Sequence, residues 1–374
     1  MINQAERRIF ISSLYIGSEE GELIAALRRR LADKPDLELH ILLDLNRSTR
    51  PGQKSTAKIL LPLLKEFPTR VNVSMFRSPS LRGLLAKLVP PRFNEGWGTW
   101  HAKIYGADDD VMISGANLNK SYFTNRQDRY LHFSSQKDLA RYCFEFIQTV
   151  TTFSYKLLPA SPSPMSHLPG PNPHTYTYED YTLHWPNPDT HPHYINAVAE
   201  SSLSQFQKCH RERLAQSLPP TVSTPTENAL LVPIIQAGQF NIREEETTFE
   251  SLFRLLGQKS KHRPLLDLTS GYFSLYTPYQ NFILNATNID CRIVASSPKA
   301  NGFFGSKGIS GRIPEGYTLY EQRFMSAVSK AGRLWSGSSP TDGQGVLLNE
   351  WEKPGWTYHA KGANTLIRNP PDWI

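Results

Sequence analysis

Apolar residues in this chain fall in short runs separated by amphipathic stretches. Residues 8–15 (Arg-Ile-Phe-Ile-Ser-Ser-Leu-Tyr) are apolar almost throughout over a strand's length, the pattern of a strand buried on both faces. Over residues 19–33 the period changes: Leu23, Ala26, Leu27 and Leu31 recur at helical spacing among charged residues, which predicts an amphipathic helix. Residues 37–44 and 70–76 return to strand character. Residues 100–105 and 111–114 read as two strands joined by a tight turn over 106–110, and 139–155 as a closing helix. Buried strands alternating with helices predict an α/β fold.

The pattern then breaks. Residues 159–173 are rich in Pro, Ser and Gly, residues 186–193 add prolines, and 217–228 is another turn-rich stretch, so 159–228 reads as a linker or insertion carrying a helix. Beyond it the early plan repeats. Residues 264–269, followed by Ser270-Gly271-Tyr272-Phe273-Ser274, match 9–15; a helical segment follows at 279–284; 291–295 match 39–43; and 356–361 match 99–103. Two similar halves, 1–158 and 229–374, are therefore expected.

Each half holds one motif that can carry chemistry. In the first, His101, Lys103 and Asp108 form H-x-K-x-x-x-x-D. On a strand, positions i and i+2 share a face, so His101 and Lys103 would project together. The second is Tyr358-His359-Ala360-Lys361-Gly362. A lone His on a strand is usually structural. Two His-Ala-Lys tripeptides, each preceded by Gly-Trp (Gly96-Trp97 and Gly355-Trp356), favour function. Imidazole can attack phosphorus, lysine can hold the non-bridging oxygens, Asn117 and Asn119 can donate to the same oxygens, and a carboxylate such as Asp108 can fix an imidazole tautomer. Two histidines supply both a nucleophile and a proton donor near neutral pH, so this chemistry calls for no metal.

Composition narrows the picture little. The chain of 374 residues carries 41 basic and 34 acidic residues, a balance of +7 that favours phosphate-bearing partners. Cys143, Cys209 and Cys291 are too scattered for a disulfide framework or a zinc cluster. No apolar run approaches the ~18 residues that span a bilayer, and residues 1–15 have neither an h-region nor a transit-like composition. Any contact with membrane is expected at its surface.

The paired motif resembles the phospholipase D superfamily, and within it the eukaryotic phosphatidylglycerophosphate synthases. The resemblance rests on Ser13-Leu14-Tyr15-Ile16-Gly17, on Leu42-Leu43-Asp44 with Arg47, Thr49 and Arg50, and on Asn94-Glu95-Gly96-Trp97-Gly98-Thr99. It continues through Ser114-Gly115-Ala116-Asn117-Leu118-Asn119 and the segment from Tyr122 to Tyr130. In the later half it includes Gln236-Ala237-Gly238-Gln239-Phe240 and the run Asn301-Gly302-Phe303-Phe304-Gly305-Ser306-Lys307-Gly308. It implies two half-domains with mixed sheets packed around a shared active site. It implies a ping-pong reaction in which His101 takes the phosphatidyl group from CDP-diacylglycerol and releases CMP, after which glycerol 3-phosphate attacks. His359 would protonate CMP and later deprotonate the acceptor, while Lys103, Lys361 and Asn117 hold phosphate oxygens. No cofactor is implied and no nucleic-acid partner. The setting would be an anionic membrane surface, at the mitochondrial inner membrane.

Other residues stay open. Arg47 and Arg50 read either as a phosphate clamp or as solvated loop arginines. Asn301 and Lys307, with the glycines around them, look like a phosphate-cradling loop. Asn125, Arg126 and Asp128 read as organisers of the turn after Asn119. Past Gly362 the chain departs from the family: Leu366 stands where an acid is expected. The second half is therefore expected to be truncated, lacking its acid and a returning strand, with weak or no activity. Two further readings are a phospholipase D-like nuclease or diesterase, and a non-catalytic protein binding a membrane surface.

Overall fold

Parallel pairing of the buried apolar strands organises the first unit. In the computed structural model, which describes residues 1–51, 55–90, 93–160, 173–217, 231–259 and 263–367, β1 (Arg8–Ser12) lies beside β2 (Glu38–Asp44), and β2 beside β3 (Val71–Phe76). Crossovers run through α1 (Gly21–Asp33) and α2 (Thr56–Glu66). Leu27 and Leu31 of α1 are fully buried, on the stripe that the helical spacing predicts. On its other edge β1 pairs antiparallel with β4 (Ile104–Ala107), which turns back into β5 (Asp110–Ser114) and then β6 (Tyr130–Phe133). Gly106 permits this packing: a Cβ there would fall inside the Phe10 ring.

The expected strand over 100–105 starts only at Ile104, so His101 and Lys103 sit on the approach to β4. The expected helix over 139–155 is α3 (Lys137–Thr151) and ends earlier than its apolar spacing suggests. Val150, Thr151, Thr152 and Ser154 are poor helix formers, and the hydroxyls of Thr152 and Ser154 turn back on the carbonyls of Thr149 and Val150. Tyr155, fully buried, then opens β7 (Tyr155–Pro159) against β3.

The chain beyond Pro159 does not leave this unit. β8 (Tyr176–Thr177) and β9 (Tyr181–His184) extend the same sheet, whose strand order is β6-β5-β4-β1-β2-β3-β7-β9-β8. Proline-rich 186–193 is a tethered turn, because Trp185, packed on Tyr155, donates its indole N–H to the Thr190 carbonyl at 2.7 Å. Helix α4 (Asn196–Ser217) packs on α3. The core of the expected proline-rich linker, 161–172, and the turn-rich 218–230 lie outside the described residues. The first unit comprises Met1–Lys120, Tyr130–Pro233 and Ala237–Ile242.

The second unit comprises Ser121–Arg129, Ile234–Gln236 and Arg243–Ile374. It begins with α5 (Glu244–Lys259) and β10 (Pro264–Ser270), followed by α6 (Thr277–Asn285), β11 (Asp290–Ser296) and α7 (Ile313–Lys330). β12 (Val346–Trp351) and β13 (Lys361–Ile367) complete a sheet of order β12-β11-β10-β13. Its first three strands are parallel and β13 runs antiparallel. This repeats the β3-β2-β1-β4 arrangement of the first unit, as the sequence repeat predicts, with β12 as the counterpart of β3 that the sequence reading did not identify. Residues 361–367 after the second motif form a regular edge strand, with Leu366 opposite Leu265; residues 368–374 lie outside the described part. Among the described residues no helix is long and apolar enough to cross a membrane.

Candidate active site

In the first unit His101 sits on a short segment pinned from both sides. The Ser12 hydroxyl, at the end of β1, donates to the Ala102 carbonyl and accepts from the Trp100 indole N–H, each at 2.8 Å. Asp44, at the end of β2, accepts the backbone N–H of Trp100 at 3.0 Å and of Arg47 at 2.8 Å. Burial pushes the Asp44 carboxyl up to about 7, aided by the charge of Glu95, while those two N–H groups and Arg47 oppose the rise. His101 is exposed. Lys103 is buried and folds back, its ammonium donating to the His101 carbonyl at 2.6 Å.

Asn117, also buried, offers its carboxamide oxygen to the backbone N–H of Leu14 (3.3 Å) and the Ser13 hydroxyl (3.4 Å). Its amide nitrogen is the donor end of the side chain. Asn119 packs its amide against Gly17, where any Cβ would fall within 2.4 Å of the amide nitrogen.

Arg47 and Arg50 are not loose loop arginines. Arg50 donates to Glu95 at 2.6 Å, and the Arg47 guanidinium lies 3.7 Å from the same carboxylate and 4.4 Å from the centre of the Tyr15 ring. Burial raises the Glu95 carboxyl, and Arg47 and Lys103 hold it down. The structure thus gathers Arg47, Arg50 and Lys103 around Glu95, which lies six residues ahead of His101, into one charged group.

Asp108 is placed elsewhere. β4 separates it from His101, and its carboxylate accepts the backbone N–H groups of Glu6, Arg7 and Arg8 at 2.7, 2.9 and 3.0 Å. Burial alone would raise this carboxyl, but the three N–H bonds leave it below the usual range. Asp108 takes the positive-φ position (φ 52°) of the β4–β5 turn and ties that turn to the start of β1. The expectation that it orients the histidine is corrected on this geometry: the acid of the H-x-K-x-x-x-x-D spacing is a structural clamp.

In the second unit an acid does reach the histidine, from a distant segment rather than from the position five beyond Lys361, where Leu366 stands. Residues 126–127 pair with 357–358, and the backbone N–H of His359 donates to the Gln127 carbonyl at 2.8 Å. This brings Asp128, whose side chain is fully buried, to 2.7 Å from His359 Nδ1. The other Asp128 oxygen accepts the backbone N–H of Arg129 at 2.8 Å. An ionised carboxylate only accepts, so the proton belongs on Nδ1, and Nε2 is left with its lone pair. The Lys361 ammonium lies 2.9 Å from Nδ1 and 3.2 Å from Nε2 and donates to the His359 carbonyl at 2.6 Å. With Nδ1 committed to Asp128, Nε2 is the atom that Lys361 can serve.

His359 is buried, edge-on to the rings of Tyr122 and Tyr272. Burial pushes its imidazole down to about 4, with Lys361 and Arg126 acting in the same direction and Asp128 against them. Lys361 has part of its side chain open to solvent, yet desolvation of its ammonium lowers it to about 8; Arg126 lowers it further and Asp128 opposes. Gly271 lets the end of β10 approach: a Cβ there would lie 2.6 Å from the Tyr358 carbonyl oxygen and 2.7 Å from His359 Cα.

Asn301 turns inward, accepting the Phe303 N–H at 3.0 Å, so it shapes its loop. A Cβ on neighbouring Gly302 would meet the Tyr272 hydroxyl at 2.6 Å, with Arg126 at 3.7 Å, so this end of the loop lies near the tyrosine that flanks His359. Lys307 stands exposed further along. Among the described residues no group of three or more His, Cys, Asp or Glu side chains is arranged to hold a metal.

Asp128, Asp44 and Glu95 were not singled out as site residues by sequence reasoning. Asp44 did leave a signal, an acid closing the apolar run Ile41-Leu42-Leu43. Asp128 lies in the Tyr122–Tyr130 segment that carries the family resemblance, where it reads only as an organiser of the turn.

No family model matches the chain. Individual relatives do. It is 34% identical to the CDP-diacylglycerol–glycerol-3-phosphate 3-phosphatidyltransferase of Schizosaccharomyces pombe, over 97% of this chain and 74% of that protein. It is 35% identical to the protein of that name, designated mitochondrial, of Mus musculus, over 96% of this chain and 64% of that one. A phosphatidylserine synthase structure from Haemophilus influenzae superposes with a TM-score of 0.60 at 19% identity, over 98% of this chain and 72% of that one, and shows the fold. Two His-x-Lys segments, each at the start of the strand that pairs antiparallel with the first strand of its unit, together with this near full-length identity, lead to one assignment: the chain belongs to the CDP-diacylglycerol–glycerol-3-phosphate 3-phosphatidyltransferase family.

Proposed function

We propose that this chain transfers the phosphatidyl group of CDP-diacylglycerol to glycerol 3-phosphate, giving phosphatidylglycerophosphate and CMP. One observation carries the reading. In both units the lysine of the His-x-Lys pair folds back on the carbonyl of its own histidine at 2.6 Å, fixing a cation next to that residue. Such a pair suits an anionic phosphodiester.

In the first step an imidazole nitrogen of His101 attacks the phosphorus of the phosphatidyl group. An N–P bond forms as the P–O bond to CMP breaks; His359 enters this step as the imidazolium, with Nδ1–H on Asp128, gives its Nε2 proton to the leaving group and is left neutral. In the second step the acceptor hydroxyl attacks the phosphohistidine, its proton passing to His359, and the N–P bond breaks. Asp128 holds the His359 tautomer that can play both parts. Lys103, Lys361 and Asn117 bind phosphate oxygens. Arg47 and Arg50, with Glu95 as their resting partner, receive the phosphate of glycerol 3-phosphate, a charge that the acceptor brings and water does not. The reaction takes place at an anionic membrane surface, proposed as that of the mitochondrial inner membrane.

The test is CMP release from CDP-diacylglycerol with and without glycerol 3-phosphate, together with trapping of a phosphatidyl adduct. The proposal expects acceptor-dependent release and an adduct on His101, both lost in His101→Ala. Equal CMP release without acceptor, or an adduct on another residue, refutes it.

A further inference from the structure

Within the second unit a cavity of about 360 Å³ lies between one face of the sheet and the helices α5 and α6. Phe249, Phe253, Leu266, Leu268 and Phe282 are among the apolar residues of its wall. The polar residues Glu245 and Tyr279 also line it and are bonded to each other, hydroxyl to carboxylate, at 2.9 Å. At the end nearest His359 the lining includes Ser270 and Lys361, a cross-strand pair.

At the position two beyond the motif lysine the two units carry different side chains. In the first unit the residue two beyond the motif lysine is Tyr105, buried opposite Ile11, with its hydroxyl on the Ala116 carbonyl. In the second it is Ala363, opposite Leu268. Side chains alternate along a strand, so Lys361 and Ala363 face the same way, into the cavity. Where the first unit packs a phenol ring, the second keeps apolar space beginning at the lysine that touches His359.

We propose that this cavity binds a fatty-acyl chain of the lipid whose phosphate is handled by His359 and Lys361. The inference rests on the phosphatidyl transfer proposed above. A cation at one end and hydrocarbon walls behind it complement a phosphodiester carrying an acyl tail. A nucleotide or glycerol phosphate would lose hydration in such a space and find few partners there.

Phosphatidic acid bearing a photoactivatable diazirine in one acyl chain tests the site directly, because crosslinking needs no turnover. Adducts mapped by mass spectrometry are expected on the cavity wall, with Phe249, Phe253 and Phe282 as targets. Filling the cavity by Ala363→Trp, or more gently by Ala363→Leu, should reduce them about tenfold, the loss expected for displacing about two methylenes. The same variants should lower the ratio of turnover on long-chain over short-chain CDP-diacylglycerol. Adducts that map elsewhere, or that persist undiminished in folded variants, overturn the proposal. Crosslinks in the cavity without CMP release would retain the acyl site and sink the transfer reaction instead.

Discussion

Asp128→Asn asks whether the buried carboxylate governs His359. The replacement has nearly the same shape but only one accepting oxygen, whereas Asp128 serves two donors: Nδ1–H of His359 at 2.7 Å and the backbone N–H of Arg129 at 2.8 Å. If the amide nitrogen turns to His359, Nδ1 must accept, the proton moves to Nε2, and the lone pair needed to take the acceptor's proton is gone. If it turns to Arg129, two donors face each other in a buried place, at about 1–3 kcal/mol. Either way the imidazolium formed in the second step loses a buried charge-assisted bond, about 1.5–3 kcal/mol. Together these give about 2.5–6 kcal/mol, or roughly two to four orders of magnitude in rate. The assay is acceptor-dependent CMP release across pH, with circular dichroism to confirm the fold. Because Asp128 raises the His359 pKa, its loss should also move the acid limb of the profile to lower pH. A folded variant that keeps turnover within about threefold of the parent refutes the tautomer argument.

The contrasting substitution is Asp108→Asn: the chain should lose about 1 kcal/mol of stability with its backbone clamp and keep most of its turnover, read by denaturant melts and by the same assay. Gly271→Ala drives a Cβ to 2.6 Å from the Tyr358 carbonyl oxygen; backbone there must shift, so a loss of about 1–3 kcal/mol in stability and a lower kcat are expected, and unchanged kinetics would disprove the close approach. Stability against pH separates two buried groups of opposite sign. His359 titrates near 4 when folded against an unfolded value near 6.5, so its contribution is full above about 6.5 and is lost as pH falls toward 4. Asp44 titrates near 7 when folded against about 3.8 unfolded, so its contribution is full below about 3.8 and is lost as pH rises toward 7. In urea titrations from pH 4 to 7, His359→Gln should therefore weaken any gain in stability with rising pH, and Asp44→Asn should strengthen it; the same slope in both variants contradicts the assignment.

Much of the fold was legible because it is written in local periods. The apolar run at Ile9-Phe10-Ile11, the helical stripe of Leu27 and Leu31, and the apolar run at Leu265-Leu266 each specify an element and its buried face without reference to distant residues. Errors came where apolar spacing continued past the element, as at Phe153, which keeps the phase of α3 although the helix ends before it and Tyr155 goes into the sheet.

The sequence alone determined the two His-Ala-Lys segments, their place in repeated strand frames, and the two-apart spacing that lets each lysine fold back on its histidine. Only tertiary structure decided which acid serves which imidazole. Asp108 is seven residues from His101, yet the length of β4 carries it away from the histidine. Asp128 is 231 residues from His359 and meets it because a two-residue pairing draws residues 126–127 alongside 357–358. Periodicity reports which way a side chain faces; it does not report which distant segment arrives opposite it. For the same reason Tyr105 and Ala363 are unremarkable letters until the registers set them in equivalent places, one filled and the other open.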